Sequence, residues 1–394
     1  MARTRSLLSW LPNYLLAARR RGAPALNQPV HLLLCLADHF EPVRGDSPVE
    51  VARQRLVRWL DSYPRLFDQF RDGDGRPPQH TFFYPAEEYE RSLVADLAGL
   101  CRAGFGEIEV QLHHENDTAE NLRRTLTEYV PMMADRHGQF SRDASGRLGY
   151  AFVHGNWALD NSHPRGQWCG VDGELDVLAE TGCFADFTLP SYPSPCQTRT
   201  INSIYYAVGR NGCRKSHDGG VEVGAGPRPQ RGLLMVQGPL VLDWKRRWLG
   251  CLPRIENGCL QDSQPPGMDR LDNWLRARIQ VPQRPDWYFV KLHAHGCEDK
   301  DQAALLGDAM VRFHADLAQR ATADPRFHVH YVTAQEMVNL VLAAENGWTG
   351  SVADARDSTW RAAGSTHPER SKSPPPTAHV PRNSAPTSGD YSRP

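Results

Sequence analysis

Four short clusters of histidine and acid dominate the chemistry available to this chain: Asp38-His39-Phe40-Glu41-Pro42, His113-His114-Glu115-Asn116-Asp117-Thr118, His154-Gly155-Asn156-Trp157 and His293-Ala294-His295. Imidazole nitrogens and carboxylate oxygens together suit a divalent transition metal, zinc first, with manganese, iron, nickel or cobalt as alternatives. Such an ion lowers the pKa of bound water, so that hydroxide exists near neutrality, and an open coordination position makes the site catalytic. The chain carries 16 histidines, and an isolated histidine is usually a satisfied core or surface residue. Clustering after several apolar runs argues for function instead. Asp38 also has a local reading, as the cap of the following loop or helix. Ser191 and Cys196 share a loop but no evident base, which disfavours a nucleophilic mechanism.

The elements needed to gather these clusters are legible as short apolar runs. They are 30–37, 80–84, 107–112, 149–154, 184–189, 233–237, 288–293 and 328–332, the strand number of a β/α barrel. Helix-period stretches at 48–70, 87–103, 118–135, 173–181, 300–319 and 334–344 supply crossovers long enough to force parallel neighbours. The fold expected is α/β, a distorted eight-stranded parallel β/α barrel in a single domain over residues 29–348. Glycine-, proline- and charge-rich insertions fall at 211–230 and 250–267. In such a barrel the residues just after each strand build the active site, and that is where the clusters stand. Residues 349–394 turn to serine, proline and threonine without apolar period and are expected to be a disordered tail.

At 394 residues and 40% hydrophobic, the chain can bury a large core. Lysine and arginine total 45 against 46 acidic residues, so no net field favours nucleic acid. Nine scattered cysteines without a CxxC pair suit a reducing cytoplasm. Residues 1–28 mix Leu7, Trp10, Leu11 and Tyr14 with arginines, too short to span a bilayer and unlike a signal peptide. They read as a helix packed on the outside of the barrel, or as an interfacial anchor making weak contact with the membrane surface. The expected location is cytoplasmic, with that segment able to touch the inner membrane face.

With these residues in view, the chain resembles the polysaccharide deacetylase superfamily over roughly residues 30 to 335. The first family motif, an apolar strand ending in two aspartates, looks like Leu33-Leu34-Cys35-Leu36-Ala37-Asp38-His39, with His39 in place of the second acid. The second, a pair of histidines four apart, looks like His113 and Asp117, with an acid in place of the second histidine. The third, an arginine and proline after the fourth strand, is replaced by His154-Gly155-Asn156-Trp157, whereas the last, an apolar strand ending in histidine, is similar to Phe289-Val290-Lys291-Leu292-His293. The resemblance implies a metal held by His39, His113 and Asp117, with Asp38 as general base and protonated His293 or His295 as general acid. Glu41, His114, His154, Asn156 and Trp157 would contact substrate. The implied activity is metal-dependent removal of an N- or O-acetyl group from a carbohydrate in surface polysaccharide or glycoconjugate metabolism. Tyr84, Trp168, Tyr192 and Trp287 could add ring faces to a sugar cleft. Two other readings stand beside it: a glycosidase pairing Asp38 or Glu41 with Asp117 or Glu115, and a non-catalytic sugar-binding barrel.

Overall fold

The computed structural model describes residues 7, 9–16, 28–45, 47–210 and 213–362. Its strands are β1 (Val30–His39), β2 (His80–Pro85), β3 (Gly106–Leu112), β4 (Ser141–Arg142), β5 (Leu148–His154), β6 (Cys183–Asp186), β7 (Ile204–Ala207), β8 (Val221–Glu222), β9 (Leu233–Val236), β10 (Val241–Trp248), β11 (Leu252–Glu256), β12 (Trp287–Ala294), β13 (Phe327–Tyr331) and β14 (Arg361–Ala362). The helices are α1 (residues 9–16), α2 (Val49–Phe67), α3 (Arg91–Leu100), α4 (Ala119–His137), α5 (Glu174–Glu180), α6 (Met268–Ala277), α7 (Asp299–Leu305), α8 (Asp308–Ala323), α9 (Ala334–Glu345) and α10 (Val352–Ala355).

The main sheet runs β12-β1-β2-β3-β5-β6-β9-β7-β8, parallel as far as β9 and antiparallel beyond it. β1 divides one edge between two neighbours: Val30–Leu34 pair with β13, and Ala37–His39 with β2. All eight expected strands are present, but a closed eight-stranded parallel barrel is not what they form among the described residues. β7 occupies the edge of β9 that a closing strand would need, and no ladder joins β9 to β12. The two approach through Gly238, where a Cβ would lie 2.4 Å from the Lys291 carbonyl oxygen.

Two cores flank the sheet because successive strand residues alternate faces. Leu32, Leu34, Leu36 and Phe40 join an outer core with Trp59, Tyr63 and Phe67 of α2, whereas Leu33, Cys35 and Ala37 join an inner one. α9 packs into that inner core and is buried along almost its whole length, its polar Gln335, Glu336 and Asn339 all paired within the protein. Its start is fixed by a capping box, Thr333 with Glu336.

Gly106 opens β3 at φ +151°, and a Cβ there would lie 2.0 Å from the His80 carbonyl oxygen of β2. Gly106→Ala is therefore expected to destabilise by at least ~1–3 kcal/mol, a loss readable in urea denaturation.

Trp10 of α1 is fully buried against Ile201 and Leu240, which packs residues 9–16 as a helix on the body of the protein. Residues 349–362 are ordered, contrary to the disordered tail expected from 349. Trp360 is buried, its carbonyl accepts from Gln335 and Asn339, and β14 pairs with β4. The polar composition misled there because two buried side chains of α9 satisfy that backbone. Residues 1–6, 17–27 and 363–394, which include the arginine run and most of the expected tail, lie outside the described residues. Among the described residues, no helix is long and apolar enough to cross a membrane.

Candidate active site

Face alternation at the C-terminal strand ends decides which chemical groups meet. His39 follows Ala37 onto the inner face, Gln111 and His113 continue β3 there, and His293 and His295 share one face of β12 and its exit. Glu41, two residues beyond His39, takes a 2.5 Å hydrogen bond from Gln111 Nε2 on its Oε1 and one from Arg44 at 3.0 Å on its Oε2. Donor atoms of His39, Glu41 and His295 all lie within 4.8 Å of one another. The His39 and His295 rings stack at 5.0 Å, and His39 Nδ1 is buried with no hydrogen-bond partner among the described residues.

The protonation states suit a cation. Burial, then the neighbouring histidines, drives the His39 pKa well below its ordinary value, and burial also lowers His295, so both imidazoles are neutral near pH 7. Burial would raise Glu41, but the hydrogen bond and charge of His113 together with the nearby His295 and Arg44 outweigh it and hold the carboxyl below its usual range. Two neutral imidazoles and one ionised carboxylate are the donor set of a three-ligand catalytic zinc site with room for water.

His113 plays another part than expected. Its Nδ1 lies 2.5 Å from Glu87 Oε1 and its Nε2 3.3 Å from Glu41 Oε1. Burial opposes a charge, yet hydrogen bonds to the two carboxylates push its pKa up to about 10. Among the described residues His113 shares no group of three close donor atoms, and between the two carboxylates it orients Glu41 instead. Glu87, on the turn after β2, was not singled out from the sequence.

A cleft of about 1160 Å³ opens over this cluster, its lining including Glu41, His113, Asn156, Trp157, His293 and His295. The Trp157 ring stands edge-on to His293 at 6.1 Å and tilted over His295 at 6.3 Å. Both ring nitrogens of His293 and the Trp157 Nε1 are buried without partners among the described residues. The far wall is the β10–β11 hairpin with Trp248, itself 58% exposed, and Trp168 and Tyr192 complete the aromatic lining. Tyr84 and Trp287, also expected near the cleft, are core residues.

Three expected site residues, and the fourth that would have completed the metal set, lie on the outer face. Asp38 accepts the Gly296 N–H at 2.6 Å, and its second oxygen is 3.8 Å from His80 Nε2 beneath Trp59. Burial pushes its pKa up to about 8, so it is a protonated structural acid turned away from the cleft. His114 and His154 meet Glu174 of α5 on the outer side of the sheet, and Asp117 bonds to His114 and to the start of α4. The trio His39, His113 and Asp117 is thus not brought together: adjacent residues on a strand point to opposite faces, and Asp117 is committed to the loop. Neither Glu115, which is exposed, nor Asp117 lines the cleft that Glu41 faces.

No protein-family model and no curated protein matches the chain. Among solved structures it is similar to a 4-alpha-glucanotransferase from Thermococcus litoralis, with a TM-score of 0.39 and 12% identity. The match covers 79% of this chain and 40% of that one, so the chain spans less than half the length of that structure. At that distance the chemistry has to be read from the residues of this chain.

Proposed function

We propose that this chain is a metal-dependent hydrolase that removes an N- or O-acyl group from a carbohydrate. The observation that carries the reading is the gathering of His39, Glu41 and His295 donor atoms within 4.8 Å beneath an aromatic cleft that Glu41 and His295 line. A divalent ion held there would acidify water and polarise the acyl carbonyl. The remaining steps belong to side chains. The His293 ring is buried, neutral and without a hydrogen-bond partner on either nitrogen among the described residues, so it accepts the proton of the attacking water and hands it to the departing amine or alkoxide. His113, charged between Glu41 and Glu87, fixes the carboxylate rotamer and adds positive potential beside the developing oxyanion. Trp157 roofs His293 and His295 and keeps bulk water from them. The base role expected of Asp38 passes to His293, because Asp38 faces the helix layer.

A sugar substrate accounts for the lining, since amphipathic rings stack on pyranose faces while Asn156, Asn257 and Gln261 offer hydrogen bonds at the edges. Trp248 is exposed and makes no core contact, so Trp248→Ala should leave folding intact. It is expected to raise KM about fivefold to tenfold, the loss of ~1 kcal/mol of stacking, with kcat nearly unchanged. The reaction itself is tested by acetate release from acetylated mono- and oligosaccharides, abolished by chelation and restored by added zinc or manganese. Acetate release that survives complete metal removal would sink the mechanism.

A further inference from the structure

We propose that His114, His154, Cys169 and Glu174 form a second metal site, structural in kind and suited to zinc, on the outer face of the sheet. The donor atoms of all four lie within 4.8 Å of one another, with three of the residues buried. His154, at the end of β5, has no solvent exposure, and neither ring nitrogen has a hydrogen-bond partner among the described residues. Its ring centroid lies 4.7 Å from that of His114, and Cys169 Sγ is 3.4 Å from Glu174 Oε2. An imidazole buried with both nitrogens unsatisfied is costly unless something absent from the protein chain accepts a bond from it.

The surroundings match what a metal-bound histidine requires. His114 Nδ1 donates to Asp117 Oδ2 at 3.0 Å, while Asp117 Oδ1 is held by the Thr118 N–H and by Asn121 Nδ2. The ring bridges two carboxylates, with Nε2 3.1 Å from Glu174 Oε1, so an ion would take the place of the Nε2 proton while Asp117 stays on Nδ1 as outer-shell support. The Asp117 N–H also donates to the Cys169 carbonyl at 3.0 Å, so the two loops carrying the ligands are tied by main chain. Once ion binding displaces the protons of Cys169 and of His114 Nε2, one thiolate and one carboxylate with two imidazoles would balance a dication in a buried place, and four protein donors leave no open position. The cluster of Asp72, Asp74 and His330 makes the contrast: there the Arg356 guanidinium already satisfies the acids, and no ion is called for.

An ion at this site would join the exits of β3 and β5 to the start of α5, and with them the intervening loop that presents Asn156, Trp157 and Trp168 to the cleft. The site therefore braces one cleft wall without touching substrate. It does not depend on the proposed reaction, and sulfur distinguishes it, because no cysteine belongs to the His39, Glu41, His295 group.

The test is cobalt(II) loading of the full chain after metal removal. A thiolate-to-cobalt charge-transfer band is expected in the wild type, lost in Cys169→Ser and kept in Cys259→Ser, the latter a cleft-lining cysteine that serves as control. A wild type without the band, or a band that persists in Cys169→Ser, overturns the proposal. Should Cys169→Ser not fold, zinc X-ray absorption on the wild type decides instead. A sulfur shell at ~2.3 Å is expected, and nitrogen and oxygen scatterers alone would overturn the assignment.

Discussion

His293→Ala is expected to lower kcat for acyl hydrolysis by ~10²–10⁴, the range a positioned proton-transfer group contributes, while metal content stays at the wild-type level. The separation follows from geometry: His293 lines the cleft beside the His39, Glu41, His295 group but is not one of its members. Burial, then the Lys291 charge, holds its pKa well below the ordinary histidine value. A base with a lowered pKa is active above that value and lost below it. The acid limb of the wild-type kcat profile should therefore fall well under pH 6.5, leaving a plateau through neutrality. In His293→Ala that limb should vanish along with the activity. A variant that kept kcat within threefold of wild type would remove His293 from the mechanism.

The largest expected effect on stability comes from Arg356, far from the chemistry. Its guanidinium is almost fully buried and holds Asp72 at 3.0 Å, Asp74 at 2.8 Å and Glu336 at 2.9 Å, while also donating to the Tyr331 carbonyl. Arg356→Ala leaves buried carboxylates facing one another without a counter-charge, and removing one partner of such a network costs ~3–5 kcal/mol. Urea denaturation should show a lower midpoint with the slope retained. The pH dependence gives an independent check. Burial would raise Asp74, but hydrogen bonds from His330 and Arg356 hold it at about 2, below the ordinary aspartate value. Its stabilising contribution is full above pH ~4 and is lost as pH falls toward 2, so that acid-sensitive component should shrink in the variant. Equal stability of the two proteins at pH 7 would contradict this account of the ordered segment 349–362.

Much of this architecture can be read in the sequence, and what cannot has identifiable causes. The eight parallel strands and their order announce themselves as apolar runs ending in turns. Strand phase does not, because β1 and β5 are buried on both faces and carry no alternation of polar and apolar residues to mark which side faces the cleft. That ambiguity of one residue set Asp38 beside His39, and His114 beside His113, in one expected site. Glu41, His293 and His295 line the cleft, each an even number of residues from an inner-face residue. The barrel count failed on β7, four residues in a loop-rich stretch whose antiparallel pairing with β9 no local pattern reveals. The β10–β11 hairpin hid in a run of charge, Asp243-Trp244-Lys245-Arg246-Arg247-Trp248, that is largely exposed yet brings Trp248 to the cleft. Cys169 and Glu174 reach His114 from a loop and a helix start nearly sixty residues on, a proximity set by tertiary packing.

The claim at the centre of this account is that His39, Glu41 and His295, and not His113, hold the catalytic ion. It is tested most directly by metal content per chain, measured by elemental analysis on chelator-free preparations of wild type, His113→Ala and a His39→Ala, His295→Ala double variant. Loss of two ligands should weaken binding by more than the ~10–100-fold typical of outer-shell changes, so the double variant is expected to lose one equivalent. His113→Ala should retain it, and the equivalent assigned to Cys169 should remain in all three. An unchanged metal content in the double variant, or loss of an equivalent in His113→Ala alone, would contradict the assignment.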